Sequence, residues 1–380
     1  MIHYVLFIDN DNHLYLHKIG SVLKLRIRKW FAPMMSVVLT AGLLAGCGAE
    51  KNAEGASEGG KEAEKVINVY SSRSYDVDKK LFAKFTEDTG IQVKVIDGKA
   101  EELIERLKRE GENTQADLFM TVDGGVLNTA KQADVLQPVV SETVDAQVPQ
   151  ELRDPDNQWI GLSSRARVIV YSKDRVKPEQ LSTYEDLTTP AWKDKVLVRP
   201  SSNLYNQSLL ASFIELEGPE KAEEWSKGLV ANLARTPEGS DRDQAKAIVA
   251  GVGDVALMNT YYVGLLLNSA DPEEVRVGEQ VGVFFPNQGT TGTHINVSGA
   301  ALTKHAKNKD NAVKLIEFLT AKEAQGMISK ENYEFPVNKE AEIPELLKSW
   351  GSFKTQAIEL GKLGEHNAKA VEIMNKTGWK

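Results

Sequence analysis

Cysteine is almost absent from this 380-residue chain, with Cys47 the only one. That excludes a disulfide within the chain and any cysteine-ligated zinc or iron–sulfur site. Histidine is nearly as scarce. Only His294, His305 and His366 follow Cys47, at no metal-ligand spacing, so a zinc site is not expected and a Ser-His-Asp triad has little to build on. There is no P-loop and no His-Glu-x-x-His, and Gly289-Thr-Thr-Gly292 is too short to cradle a phosphate. Without an evident nucleophile–base pair, an enzyme is not expected. An excess of basic charge is missing too: the net charge is −8, from 46 basic and 54 acidic residues. Five of those basic and two of those acidic residues lie in 1–47, so the remainder carries −11. An acidic body argues against nucleic acid or an anionic lipid surface as partner. It suits a protein that stays soluble or one that binds a cation.

What is present begins with an address. Lys24-Leu-Arg-Ile-Arg-Lys29 is a basic cluster, followed by an apolar run from Trp30 to Leu44 and then Leu44-Ala-Gly-Cys47. Basic segment, short apolar segment and small residues in that order read as a bacterial export signal, and the apolar run is short for a spanning helix. Leu44-Ala-Gly-Cys47 resembles the lipobox at which a signal is cut and the cysteine thiol diacylated. Residues 1–20 do not look like the start of such a signal, so translation is expected to begin near Val22 or Leu23. Residues 48–65 are small, polar and glycine-rich, a flexible tether. Together these segments predict a soluble body lipid-anchored through Cys47 at the outer face of the cell membrane.

From Val66 onward strands and helices alternate, predicting an α/β sheet. Val66–Tyr70, Ile91–Ile96 and Ala116–Val122 read as strands; 78–88 and 101–110 read as helices, the first with Leu81, Phe82 and Phe85 on one face. Ligands of open α/β sheets bind beyond the carboxyl ends of strands. Ser71–Tyr75 and Asp123-Gly-Gly125 lie at such ends. A long extended stretch, Trp159–Tyr171, is suited to run from one lobe into another. Its Arg165 and Arg167 face the same side, either toward an anion in a cleft or as a solvated strand face.

Tyr75, Tyr205, Tyr261 and Tyr262 all stand at strand-to-loop-to-helix junctions. Thr260 is placed to cap the helix that opens with Tyr261-Tyr262, where the helix dipole favours anions. On its own this pair reads either as core packing or as two adjacent ligands. Phenols titrate near 10, so ligation as phenolate at neutral pH calls for a hard, highly charged cation, with ferric iron the natural candidate.

Five motifs then carry a resemblance: Tyr70-Ser-Ser-Arg-Ser-Tyr75, Ala116-Asp-Leu-Phe-Met-Thr-Val-Asp123, Arg165-Ala-Arg-Val-Ile-Val-Tyr171, Ser201-Ser-Asn-Leu-Tyr-Asn-Gln207 and Asn259-Thr-Tyr-Tyr262. From Val66 to Lys380 the chain resembles the ferric-ion-binding lipoproteins of ABC iron importers, two-lobed solute-binding proteins. The resemblance implies a type II Venus-flytrap fold of two α/β lobes, here 66–167 with 292–342 and 168–291 with 343–380. It implies Fe³⁺ as the transported ligand, ABC permease subunits as partners, and a monomer. Tyr75 matches the ligand of the first lobe; Tyr205, Tyr261 and Tyr262 match those of the second. Many members carry histidine before the first tyrosine, where this chain has Ser74. Water, a small anion such as carbonate held by Arg73 or Arg165, or Asp123 are the candidates for the open position. The competing expectation is a receptor for a small organic anion, a phosphonate or carboxylate, held by Arg73, Arg165 and Arg167.

Overall fold

The computed structural model describes residues 4–8, 14–18, 21–23 and 65–380. The export signal, Cys47 and all of the tether but Lys65 lie outside the described residues. The chain divides into two units, Met1–Gly60 and Lys61–Lys380. In the first, β1 (Tyr4–Ile8), β2 (Leu14–Lys18) and β3 (Ser21–Leu23) pair antiparallel in that order.

The second unit opens with β4 (Val66–Ser71), α1 (Asp76–Thr89), β5 (Gln92–Asp97), α2 (Ala100–Glu110), β6 (Leu118–Thr121) and α3 (Gly124–Gln132). β4 lies between β5 and β6, parallel to both. Helix α1 forms where expected because Leu81, Phe82 and Phe85 fall on one buried face, and Gly90 ends it at φ 71°, a left-handed value that glycine adopts without strain. β7 (Leu136–Gln137) and α4 (Glu142–Gln147) lead to β8 (Ile160–Ser172). Then come β9 (Val196–Leu197), α5 (Leu204–Glu217), α6 (Pro219–Ala231), α7 (Asp241–Val249), β10 (Val255–Asn259), α8 (Thr260–Leu267), α9 (Pro272–Gln280) and β11 (Val281–Phe284). β12 (Ile295–Thr303), α10 (Lys309–Thr320), α11 (Lys322–Asn332), α12 (Glu345–Ser349), α13 (Lys362–Glu365) and α14 (Asn367–Thr377) complete the chain.

The sheet order is β5-β4-β6-β12-β8-β10-β9, with β11 also on β8 and β7 on β12. β8 is the strand that joins everything. Its residues Ile160 to Ala166 pair antiparallel with β12, and from Arg167 to Tyr171 it pairs with β10 instead. Val168, Ile169 and Val170 are fully buried; each such side chain contributes roughly 1.5–3 kcal/mol on leaving water. A strand buried on both faces reads as a continuous apolar run. Within this run Arg165 and Arg167 are conspicuous, because charged groups seldom leave water without partners.

The Asp123-Gly-Gly125 stretch follows the carboxyl end of β6, as expected, and opens α3, with Asp123 as its cap. A Cβ on Gly125 would lie 2.6 Å from the Gly364 backbone nitrogen, so glycine there admits α13 against α3.

Candidate metal centre

The four tyrosines occupy equivalent places in three helices. Tyr75 is the residue before α1, Tyr205 the second residue of α5, and Tyr261 and Tyr262 the second and third of α8. The structure brings all four together. The hydroxyls of Tyr205 and Tyr261 are 3.2 Å apart. The Tyr261 ring centroid is 6.3 Å from that of Tyr75 and 4.2 Å from that of Tyr262. Three helix N-termini therefore converge on one group of phenols, and each favours negative charge there.

Thr260 does not cap α8. Asn259 holds the cap position, and the Thr260 hydroxyl accepts a hydrogen bond from the Ala166 backbone N–H at 3.3 Å. The hydroxyl ties α8 to β8, because β10 pairs with β8 right up to the junction.

Burial pushes the Tyr75 and Tyr261 hydroxyls well above the usual phenol range, and the neighbouring tyrosines add to the effect. Burial, with Tyr205 and Asp241 behind it, pushes Tyr262 up to about 12. Phenols gathered this closely oppose one another's ionisation, and a cation among them reverses the balance.

Around them stands a buried ionic frame. Arg73 lies 4.5 Å over the Tyr75 ring. Its Nε donates to Asp78 at 2.9 Å, and its Nη1 donates to Glu334 at 3.0 Å. Glu334 is wholly buried and also accepts from Ser163 Oγ at 2.9 Å and Asn332 Nδ2 at 2.8 Å. Burial works to raise its carboxyl, but Arg73 and Arg165 override this and hold it below the ordinary range. On the other side Arg167 donates to Asp241 at 2.6 Å, to Asn206 at 2.7 Å and to Asn259 at 3.2 Å. Asp241 also binds Arg199 at 2.8 Å and the Asn259 N–H at 3.1 Å. Asn206 follows Tyr205, and Asn259 closes the strand before Tyr261, so one guanidinium fixes both entry points.

The remaining predicted residues fall as follows. Arg165 is buried, donates to Ser298 at 3.2 Å and stands 5.5 Å from the Tyr205 ring centroid. Its Nη2, like Arg73 Nη2, is buried without a hydrogen-bond partner among the described residues. Asp123 accepts from the Val126 N–H at 3.1 Å, Ser208 Oγ at 2.6 Å and Asn296 Nδ2 at 2.6 Å. Both its oxygens are therefore engaged, although burial raises its pKa. Ser74 is exposed and donates to Asp97 at 3.1 Å. Sequence reasoning passed over Glu334, Asp241 and Asp78. The only signal for Glu334 was an acid set between aromatic residues in Tyr333-Glu-Phe-Pro336, and Asp241 resembled any acidic first turn.

Residues 113–355 match a family model described as bacterial extracellular solute-binding protein. The chain is 48% identical over 345 residues to the iron uptake protein A1 of Synechocystis, covering 91% of this chain and 95% of that one. Among solved structures, a Trichodesmium protein in complex with iron and citrate ligands is 49% identical at a TM-score of 0.79, covering 83% of this chain and 100% of that one. The ferric binding protein from Campylobacter jejuni is 42% identical, also at a TM-score of 0.79 and the same coverage. The α/β, two-lobed architecture implied by the sequence resemblance is that of these relatives. The chain belongs to the bacterial extracellular solute-binding proteins.

Proposed function

We propose that this chain is an extracytoplasmic receptor that captures Fe³⁺ as phenolate complexes of Tyr75, Tyr205, Tyr261 and Tyr262 and delivers it to an ABC-type permease. The observation that carries the reading is the 3.2 Å approach of the Tyr205 and Tyr261 hydroxyls at convergent helix N-termini. The names of the relatives, an iron uptake protein and a ferric binding protein, support it. Hard oxygen donors of this kind select a hard cation. Lobe boundaries at 66–167 with 292–342 and 168–291 with 343–380 belong to this reading, supported by the exchange of β8 partners at Ala166–Arg167. The lipid anchor at Cys47, the tether and a monomeric state belong to it as well. Replacing Cys47 by Ala should release the protein from membranes.

For the fifth position the reading assigns water or a small anion such as carbonate. The unpartnered Nη2 atoms of Arg73 and Arg165 support an anion here. Asp123, with both oxygens engaged, serves as a bracket for α3. An organic-anion receptor is the weaker reading because Arg73 and Arg167 are already bound to buried carboxylates. Titration of the metal-free protein with ferric citrate should produce a broad visible phenolate-to-iron band. The band is lost in Tyr261→Phe/Tyr262→Phe. A colourless mixture, or tight heat-evolving binding of iron-free phosphonates or carboxylates, refutes the iron reading.

A further inference from the structure

Tyr333 has a backbone that its side chain disfavours. It ends α11 at φ 57° and ψ 24°, the left-handed region, where a bulky L-residue is an outlier and glycine or asparagine is the usual choice. Strain of this kind persists where surrounding structure holds it, and it collects at functional sites. The holding contact is on α8. A Cβ on Gly264 would lie 2.4 Å from both Cβ and Cγ of Tyr333, so only glycine lets the ring seat there. Gly264 stands three residues after Tyr261, on the same face of the helix.

The next residue reaches the other side of the site. Glu334 accepts from Arg73 Nη1 at 3.0 Å, and Arg73 covers the Tyr75 ring at 4.5 Å. The turn is braced as well. Asn332 Nδ2 donates to Glu334 at 2.8 Å, Ser329 Oγ donates to its carbonyl at 2.9 Å, and Phe335 exchanges two backbone hydrogen bonds of 2.8 Å with Ser164. Two adjacent residues thus touch the supports of all but one of the tyrosines. Tyr333 leans on the helix of Tyr261 and Tyr262, and Glu334 holds the guanidinium over Tyr75.

We propose that the turn Asn332–Phe335 is a strut that sets the spacing of Tyr75 against Tyr261 and Tyr262, with Tyr333 as a positioning residue for iron retention; this rests on the phenolate reading above. Tyr333→Gly and Tyr333→Asn relieve the backbone and remove the ring, whereas Tyr333→Phe keeps the ring. Amide hydrogen exchange of the metal-free chain reads the strut without iron. In Tyr333→Gly and Tyr333→Asn the α8 amides should exchange about tenfold faster, while α10 stays at the parental rate. Tyr333→Phe should match the parent. In the loaded protein the same two variants should shift the visible band and release iron to excess chelator about tenfold faster, and Gly264→Ala should do the same without adding to Tyr333→Gly. Unchanged α8 exchange and parental iron release in Tyr333→Gly overturn the strut, as does faster exchange spread equally over α8 and α10. A parent that takes up no iron sinks the phenolate reading instead, and exchange then decides the strut alone.

Discussion

Replacing one phenol by phenylalanine should change how steeply iron binding depends on pH. In the metal-free chain burial, then Tyr205 and Asp241, push the Tyr262 hydroxyl up to about 12. At neutral pH that is about five units short of ionisation, or about 7 kcal/mol at ~1.36 kcal/mol per unit. Tyr75 and Tyr261 lie well above the ordinary value for the same cause, burial first and neighbouring phenols second. A raised pKa means these groups are protonated at neutral pH. A cation that takes them as phenolates therefore releases their protons, and its affinity grows as pH rises. Each displaced proton adds about one decade of affinity per pH unit.

Citrate competition at pH 6, 7 and 8, read on the phenolate band, measures this. Comparing parent with Tyr262→Phe at each pH cancels the titration of citrate itself. The two affinities should diverge by about tenfold per pH unit, the parent gaining. Proton release in weakly buffered solution should fall by one per iron bound in the variant. Parallel pH profiles with an unchanged proton count would refute phenolate ligation by Tyr262.

Three further perturbations test the frame. Asp241→Asn leaves Arg167 and Arg199, bound at 2.6 and 2.8 Å, without their shared counter-charge, and urea unfolding should show a loss of about 3–5 kcal/mol. Burial lowers His294 from 6.5 to about 4. Its folded pKa lies below the unfolded one, so its contribution is complete above 6.5 and is lost as pH falls toward 4. His294→Gln should therefore remove about 3 kcal/mol of pH dependence from urea midpoints in that window. Gly125→Ala drives a methyl to 2.6 Å from the Gly364 nitrogen and should cost about 1–3 kcal/mol in thermal unfolding. Gly326→Ala, whose nearest neighbour is 3.6 Å away, serves as its near-neutral control.

The sequence exposed the fold where periodicity was clean. The apolar face of α1 and the long run of β8 announce themselves, and the four tyrosines stand out because each begins a helix. The supports of the site were hidden for a physical reason. Asp78, Asp241 and Glu334 are ordinary acids in sequence and become distinctive only when a buried arginine stands beside them. Gly124-Gly125 carries no helix signal of its own, because glycine lowers helix propensity. Its value here lies in admitting the α13 backbone, a contact 239 residues away from Gly125 at Gly364. Thr260 satisfied the usual cap signature, yet the β8 backbone offered its hydroxyl a donor. Local chemistry supplied candidates at each of these positions, and long-range contacts chose among them.

Charge in this frame bears on which ion the site holds. The guanidinium groups of Arg73, Arg165, Arg167 and Arg199 are matched at formal charge by Asp78, Asp123, Asp241 and Glu334, all of them buried or nearly so. The surroundings are therefore close to neutral before any ligand enters. Four phenolates around a trivalent ion leave a single negative charge, and around a divalent ion they leave two. Arg165 forms no ion pair among the described residues and stands 5.5 Å from the Tyr205 ring centroid, but its charge is already offset in this count by Asp123. The other three guanidinium groups, Arg73, Arg167 and Arg199, are each bound to carboxylates, so the second negative charge left by a divalent ion adds to the first without an answer. An unanswered charge at contact distance is worth about 4 kcal/mol even at an effective dielectric constant of 20. On the phenolate reading, the frame should therefore favour the trivalent ion over the divalent one, and reduction of bound iron should loosen it.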